Sequence, residues 1–146
     1  MSHLRQQIRE RVASTLTGLT TTGSNIFQSR IYPMEQASLP GLIVYSVSES
    51  TAPVTMGAIR DMDATLTLAI EAYAIGANLD DSLDTICKEV QVAMYGDRTV
   101  NSLAKDLQLD STTIVFAQDS DVPAGYATMN WSVNYQFAEN NPEVAI

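Results

Sequence analysis

Few side chains in this sequence are of a type and spacing that could do chemistry. Its one cysteine is Cys87 and its one histidine is His3. A thiolate or serine nucleophile needs a base within hydrogen-bond reach. The single imidazole lies close to the chain start, so neither a Cys–His nor a Ser–His pair is expected. Cys87 falls on or beside the apolar face of a helix, where a buried structural thiol is the expected role. A zinc site needs about four Cys, His or carboxylate ligands, which this chain could draw only from carboxylates. Asp80, Asp81 and Asp84 form one acidic cluster, but at the start of a helix carboxylates serve the backbone dipole. Asp119 and Asp121 flank Ser120 as in part of a calcium loop. The downstream glutamate of that pattern is missing, and turn chemistry accounts for the pair. Gly18 and Gly23 have the glycine spacing of a phosphate-binding loop. Ser24 and Asn25 stand where Lys and Ser/Thr are required, and the loop follows a helix instead of a strand. No nucleophile elbow G-x-S-x-G is present. No catalytic residue, cofactor site or metal site is expected, and the chain does not read as an enzyme.

Charge is unevenly spread over the chain. Net charge is −9, yet residues 1–34 carry Arg5, Arg9, Arg11 and Arg30 against Glu10 alone, a balance of +3. The rest of the chain carries −12. Most of the domain should therefore repel a nucleic-acid backbone. Arg5, Arg9 and Arg11 have no aromatic residues interleaved with them, so a solvated or subunit-facing helix surface fits them better than a phosphate track. The split also allows the basic part of one copy to meet an acidic part of another.

The elements that must position these residues follow from periodicity. At 146 residues and 45% hydrophobic content the chain suits one folded domain, expected over 1–138. No apolar run approaches the ~20 residues that span a bilayer, so no membrane partner is expected. The first residues do not lead into an unbroken apolar stretch, so neither a signal peptide nor export is expected. Leu4, Ile8, Val12 and Leu16 recur every four residues and predict a helix over about 3–17, capped by Ser2 and stopped by Gly18. Residues 26–32 predict a first strand, closed by Pro33. "GLIVYSVS", from Gly41, predicts a second. Residues 49–62, punctuated by Pro53 and Gly57, predict a long excursion, a kind of loop that often carries function. Met56 and Ile59 in it are apolar residues in a polar setting, which often marks a contact with another chain.

Residues 63–74 alternate as a strand. Asn78 then caps a helix over 79–95, with Leu79, Leu83, Ile86, Val90 and Met94 on one stripe. A short helix is predicted over 99–106, with Thr99 as its cap. A strand follows at 107–117, and then a turn at 119–125. From 127 to 137, Ala, Met, Trp, Val, Tyr and Phe alternate with polar residues, the clearest strand signal in the chain. One face of that strand should pack while the other is wet or touches a partner. Residues 139–146 lack periodicity and predict a flexible tail. The order of elements predicts a two-layer α+β fold: a mostly antiparallel mixed sheet of about five strands packed by two helices.

The stretch "LRQQIRERVASTLTGLTTTGSNIFQSRIYP", followed by "LPGLIVYS", resembles the tail-terminator proteins of long-tailed bacteriophages, similar to the minor tail protein U family of phage lambda. The carrying features are the N-terminal helix, the "LTGLTTTG" corner, the "NIFQSRIYP" strand and the "GLIVYS" strand. They cover the first 47 residues; the later β–α–β–β order agrees in outline. The resemblance implies a homo-oligomeric ring, a hexamer, at the neck of a virion tail, assembled in the cytoplasm of the bacterial host. Such a ring caps the tail tube protein at its head-proximal end, stops polymerisation and offers a surface to the head–tail connector protein. DNA passes through it without specific binding. The family has no active site to carry over. On chemistry alone, Met56, Ile59 and Arg60 are the first candidates for interface residues, with Arg5, Arg9 and Arg30 behind them. Two other readings stay open: another neck component (a head–tail connector or tail-completion protein), or a small-ligand-binding domain or unrecognised enzyme.

Overall fold

The computed structural model describes residues 2–28, 40–117 and 124–146. Its elements run α1 (Leu4–Thr15), β1 (Ile26–Phe27), β2 (Gly41–Pro53), β3 (Asp61–Ile75), α2 (Leu79–Tyr95), β4 (Asp106–Ala117), β5 (Ala124–Ala138) and β6 (Asn141–Ala145). One mixed sheet takes the order β1-β2-β3-β5-β4, and β6 also pairs with β5. Among the described residues only β1 and β2 run parallel. The architecture is the expected α+β fold, with six strands among the described residues where about five were expected.

Both helices bury an apolar stripe against the same face of this sheet. In α1 the stripe is Leu4, Ile8 and Val12, and in α2 it is Leu79, Leu83, Ile86, Val90 and Met94. They meet Leu66, Leu68 and Ile70 of β3 and Met129, Trp131, Val133 and Tyr135 of β5 in one core. Each such side chain contributes roughly 1.5–3 kcal/mol of transfer free energy. The alternation of β5 runs unbroken from Ala124 to Ala138, because its inner residues face the helices and its outer ones do not. The outer face carries Glu71, whose carboxylate accepts hydrogen bonds from the Tyr45 and Tyr73 hydroxyls, each at 2.6 Å. Tyr73 also stacks on Tyr126 at 5.1 Å. Among the described residues no helix covers that face.

Local details depart from the sequence expectations in five places. The α1 cap is His3, not Ser2: His3 Nδ1 accepts the Arg5 amide at 3.1 Å. Asn78 does stand at the N-cap of α2, but its side chain makes no capping hydrogen bond. The excursion at 49–62 shrinks to residues 54–60, because β2 runs on to Pro53 and pairs with β3 as far as Met62. No helix forms over 99–106. Val100, Asn101 and Ser102 have φ of 48°, 55° and 66°, a left-handed run that a right-handed helix cannot contain, and β4 starts at Asp106. Residues 141–145, within the stretch read as a flexible tail, form β6 against Phe137 and Ala138. The remainder of the predicted first strand, with Arg30 and Pro33, and the turn containing Asp119, Asp121 and Pro123 lie outside the described residues.

Candidate assembly surfaces

The glycine loop after α1 closes on itself. Gly18, at φ +91°, takes the chain out of the helix into a conformation that L side chains rarely adopt. Its amide donates to the Gly23 carbonyl, and the Gly23 amide donates to the Leu19 carbonyl, both at 2.8 Å. The Thr21 amide and hydroxyl both donate to the Glu89 carboxylate of α2. A loop whose donors are held by a carboxylate is a corner that ties the end of α1 to α2 before the chain enters β1. A second tie joins the helices at Asp97, which accepts from Arg11 at 3.0 Å and from the Asn101 amide at 3.1 Å. Burial alone would push the Asp97 pKa up, but those donors outweigh it and hold the carboxyl below its ordinary value.

The imidazole and the thiol each have a local structural setting. His3 spends Nδ1 on the α1 cap, and burial together with the Arg5 charge lowers its pKa. Cys87 is half-buried on α2, and burial, then Asp84, raises its pKa, which disfavours the thiolate. Among the described residues no group of three or more His, Cys, Asp or Glu is placed to hold a metal ion.

Among the described residues, exposed apolar side chains cluster at the β2–β3 hairpin tip and on β4, with Val47, Val92, Val144 and Ile146 exposed outside those two clusters. The first is the tip of the β2–β3 hairpin. Residues 54–60 are held at the base by Val54 N–H to the Asp61 carbonyl and by Asp61 N–H to Thr55 Oγ1, both 2.8 Å. The tip carries Met56 at 95% exposure together with Val54 and Ile59. Arg60 sits beside them but is committed: its guanidinium lies 3.0 Å from Glu139, and its amide donates to the same carboxylate. The pairing depresses the Glu139 pKa. Met56, Ile59 and Arg60 therefore share one projection, with Arg60 as its anchor.

The second site is β4. Gln108 and residues 110–116 are exposed, including Ile114, Val115 and Phe116. Register places Thr112, Ile114 and Phe116 on the helix side of the sheet, opposite Met129, Ala127 and Gly125 of β5. Sequence reasoning found this strand but missed that it is an edge. Residue types did not announce it: "STTIVF" carries none of the Lys or Pro with which natural edges are blunted, so it reads as an interior strand.

Arg5 and Arg9 lie elsewhere, on α1 above β2. Arg5 reaches Glu49 of β2 at 3.2 Å, and the Tyr135 hydroxyl donates to the same carboxylate. Arg9 donates to the neutral Gln28 side chain at 3.4 Å. Both line a cleft of about 400 Å³ between α1 and the β2 edge, together with Val47 and Leu66.

Relatives do not decide between readings of these surfaces. No protein-family model and no curated protein matches the chain. Among solved structures, a chain from the virion of a native gene transfer agent particle is similar over 90% of this chain and 92% of its own length. Its identity is 14% and its TM-score 0.39. Likeness of that size leaves the function to be argued from the chain itself.

Proposed function

We propose that the protein is a tail terminator: a structural virion protein that closes into a ring on the head-proximal end of a tail tube. There it stops polymerisation and presents a surface to the head connector. The assignment to this class rests on the resemblance of the first 47 residues, of which the described ones form α1, the Gly18–Gly23 corner, β1 and the start of β2. The structural observation that supports it is the hairpin tip, where Met56 is 95% exposed on a loop anchored at both ends. A methionine side chain left in water on an anchored projection gains stability only when another surface covers it. The tip is the surface proposed to meet the tube or the connector, and Arg60 holds it in place. Ring closure is a heterologous contact repeated about an axis.

The test is to add the purified chain to polymerising tube protein and measure tube lengths in electron micrographs, alongside its mass in solution. The expected outcome is capped tubes of arrested length and rings of about six copies. Met56→Asp should weaken capping while leaving the fold intact. Tubes that grow unchecked under saturating chain would overturn the proposal.

A further inference from the structure

The open edge of β4 has a matching counterpart in the same molecule. We propose that copies of this chain join edge to edge: β4 of one copy pairs antiparallel with the outer edge of β2 in the next, over residues 47–53. This rests on the ring reading above and supplies its contact. The partner is a second copy of the chain.

Four observations carry it. The first is exposure. After the register shift between Leu109 and Ser111, β4 pairs regularly with β5, and among the described residues no strand pairs with its other side. Such an edge presents unpaired N–H and C=O groups that template another strand. Among the described residues, β1 pairs with β2 only at Leu42 and Ile43, and nothing pairs with the outer side of β2 from Val47 to Pro53.

The second is direction. Successive antiparallel pairings make β4 run parallel to β3 and opposite to β2. Copies related by rotation about an axis along the strands therefore bring β4 beside β2 antiparallel, and the sheet continues from one copy into the next.

The third is fit. Ile114 and Phe116 project on the helix side of β4, and the α1–β2 cleft opens on the helix side of β2. Setting Phe116 beside Val47 seats both apolar side chains at that cleft. It also pairs 110–116 with 47–53, two stretches of equal length.

The fourth is charge. Asp80 and Asp81 sit beside Phe116 at the start of α2, while Arg5 and Arg9 line the cleft. The same register brings those aspartates to those arginines. The symmetric alternative, β4 against β4, would set the Asp80–Asp81 end of each copy beside Asp110 of the other, acid against acid. Complementary charge of this kind selects the partner and the register.

Sedimentation across a concentration series tests the pairing. Ile114→Lys should weaken self-association about tenfold or more, whereas Val92→Lys, on the exposed face of α2, should leave it unchanged. Circular dichroism establishes that each variant is folded. Arg9→Glu and Asp81→Arg should each weaken association, and the two together should restore most of it. Self-association that ignores Ile114→Lys overturns the edge pairing and leaves the capping function standing. A dimer that ignores Arg9→Glu also overturns it, in favour of β4 on β4. A chain that stays monomeric at millimolar concentration overturns it too, and the capping assay on tubes then decides the function separately.

Discussion

Tyr135→Phe isolates one hydrogen bond at the joint between α1 and the sheet. The Tyr135 side chain is fully buried, and its ring stacks on Phe137 at 5.7 Å. Its hydroxyl donates to the Glu49 carboxylate, which Arg5 also contacts at 3.2 Å. Removing the hydroxyl leaves the ring packing intact, so no large cavity cost applies. What is lost is a hydrogen bond to a charged acceptor, worth about 1.5–3 kcal/mol. Arg5 and water stay with Glu49 and reduce the loss, so the lower part of that range, about 1.5–2 kcal/mol, is expected. For a chain of this size that lowers Tm by roughly 5 °C. Arg5 is 46% exposed, so Arg5→Ala should cost only about 0.5 kcal/mol. Because both partners act on one carboxylate, the double variant should depart from additivity by about 0.5 kcal/mol or more.

Burial, then the Glu49 hydrogen bond, raises the Tyr135 pKa above its ordinary value near 10. The unfolded chain therefore ionises first. The stabilisation is complete below pH ~10 and is lost as pH rises from there toward the folded pKa. Tyr135→Phe should flatten that alkaline decline. Urea unfolding at pH 7 and pH 10.5 measures both effects. A loss under about 0.5 kcal/mol at pH 7, or additivity within about 0.3 kcal/mol, would refute the shared-carboxylate account.

Three further outcomes follow from named positions. Gly125→Ala places a Cβ 2.7 Å from the Val115 carbonyl oxygen, a backbone atom that cannot yield cheaply, so stability should fall by about 1–3 kcal/mol in thermal unfolding. Ser102→Gly should raise stability by about 0.5–1 kcal/mol, because its φ of 66° costs an L residue more than glycine's added chain entropy; a lower Tm would count against it. For His3, the folded pKa is lowered, so the neutral ring that accepts the Arg5 amide is secure above the ordinary pKa near 6.5 and is lost as pH falls through the folded value. His3→Asn keeps a capping acceptor that does not protonate, and should hold about 0.5–1 kcal/mol more stability at pH 5 than the unmodified chain, relative to pH 8.

Much of the layer plan was legible because periodicity survives without tertiary information. The α2 stripe from Leu79 to Met94 and the β5 alternation from Ala127 to Phe137 both report which side faces the core. Strand ends were less legible. Glu49, Ser50 and Thr51 carry no apolar alternation, yet they belong to β2 because Leu66, Thr65 and Ala64 of β3 supply their partners. The left-handed run at Val100–Ser102 sits at a join where Val100 itself is buried, and residue types alone do not announce that. For the candidate surfaces, Met56 and Ile59 were readable as apolar residues in a polar loop. The commitment of Arg60 to Glu139 was not, since 79 positions separate them.

By itself the sequence determined the α+β class, the stripes of both helices, and the faces of β3 and β5. These depend on residue type and local spacing, which the chain carries wherever it folds. Tertiary structure alone decided that β5 lies between β3 and β4, that β4 is an edge, and that β6 returns to β5. Strand order is set by which elements cover one another's apolar faces and satisfy one another's backbone groups. That is a property of the whole core, written in no single segment.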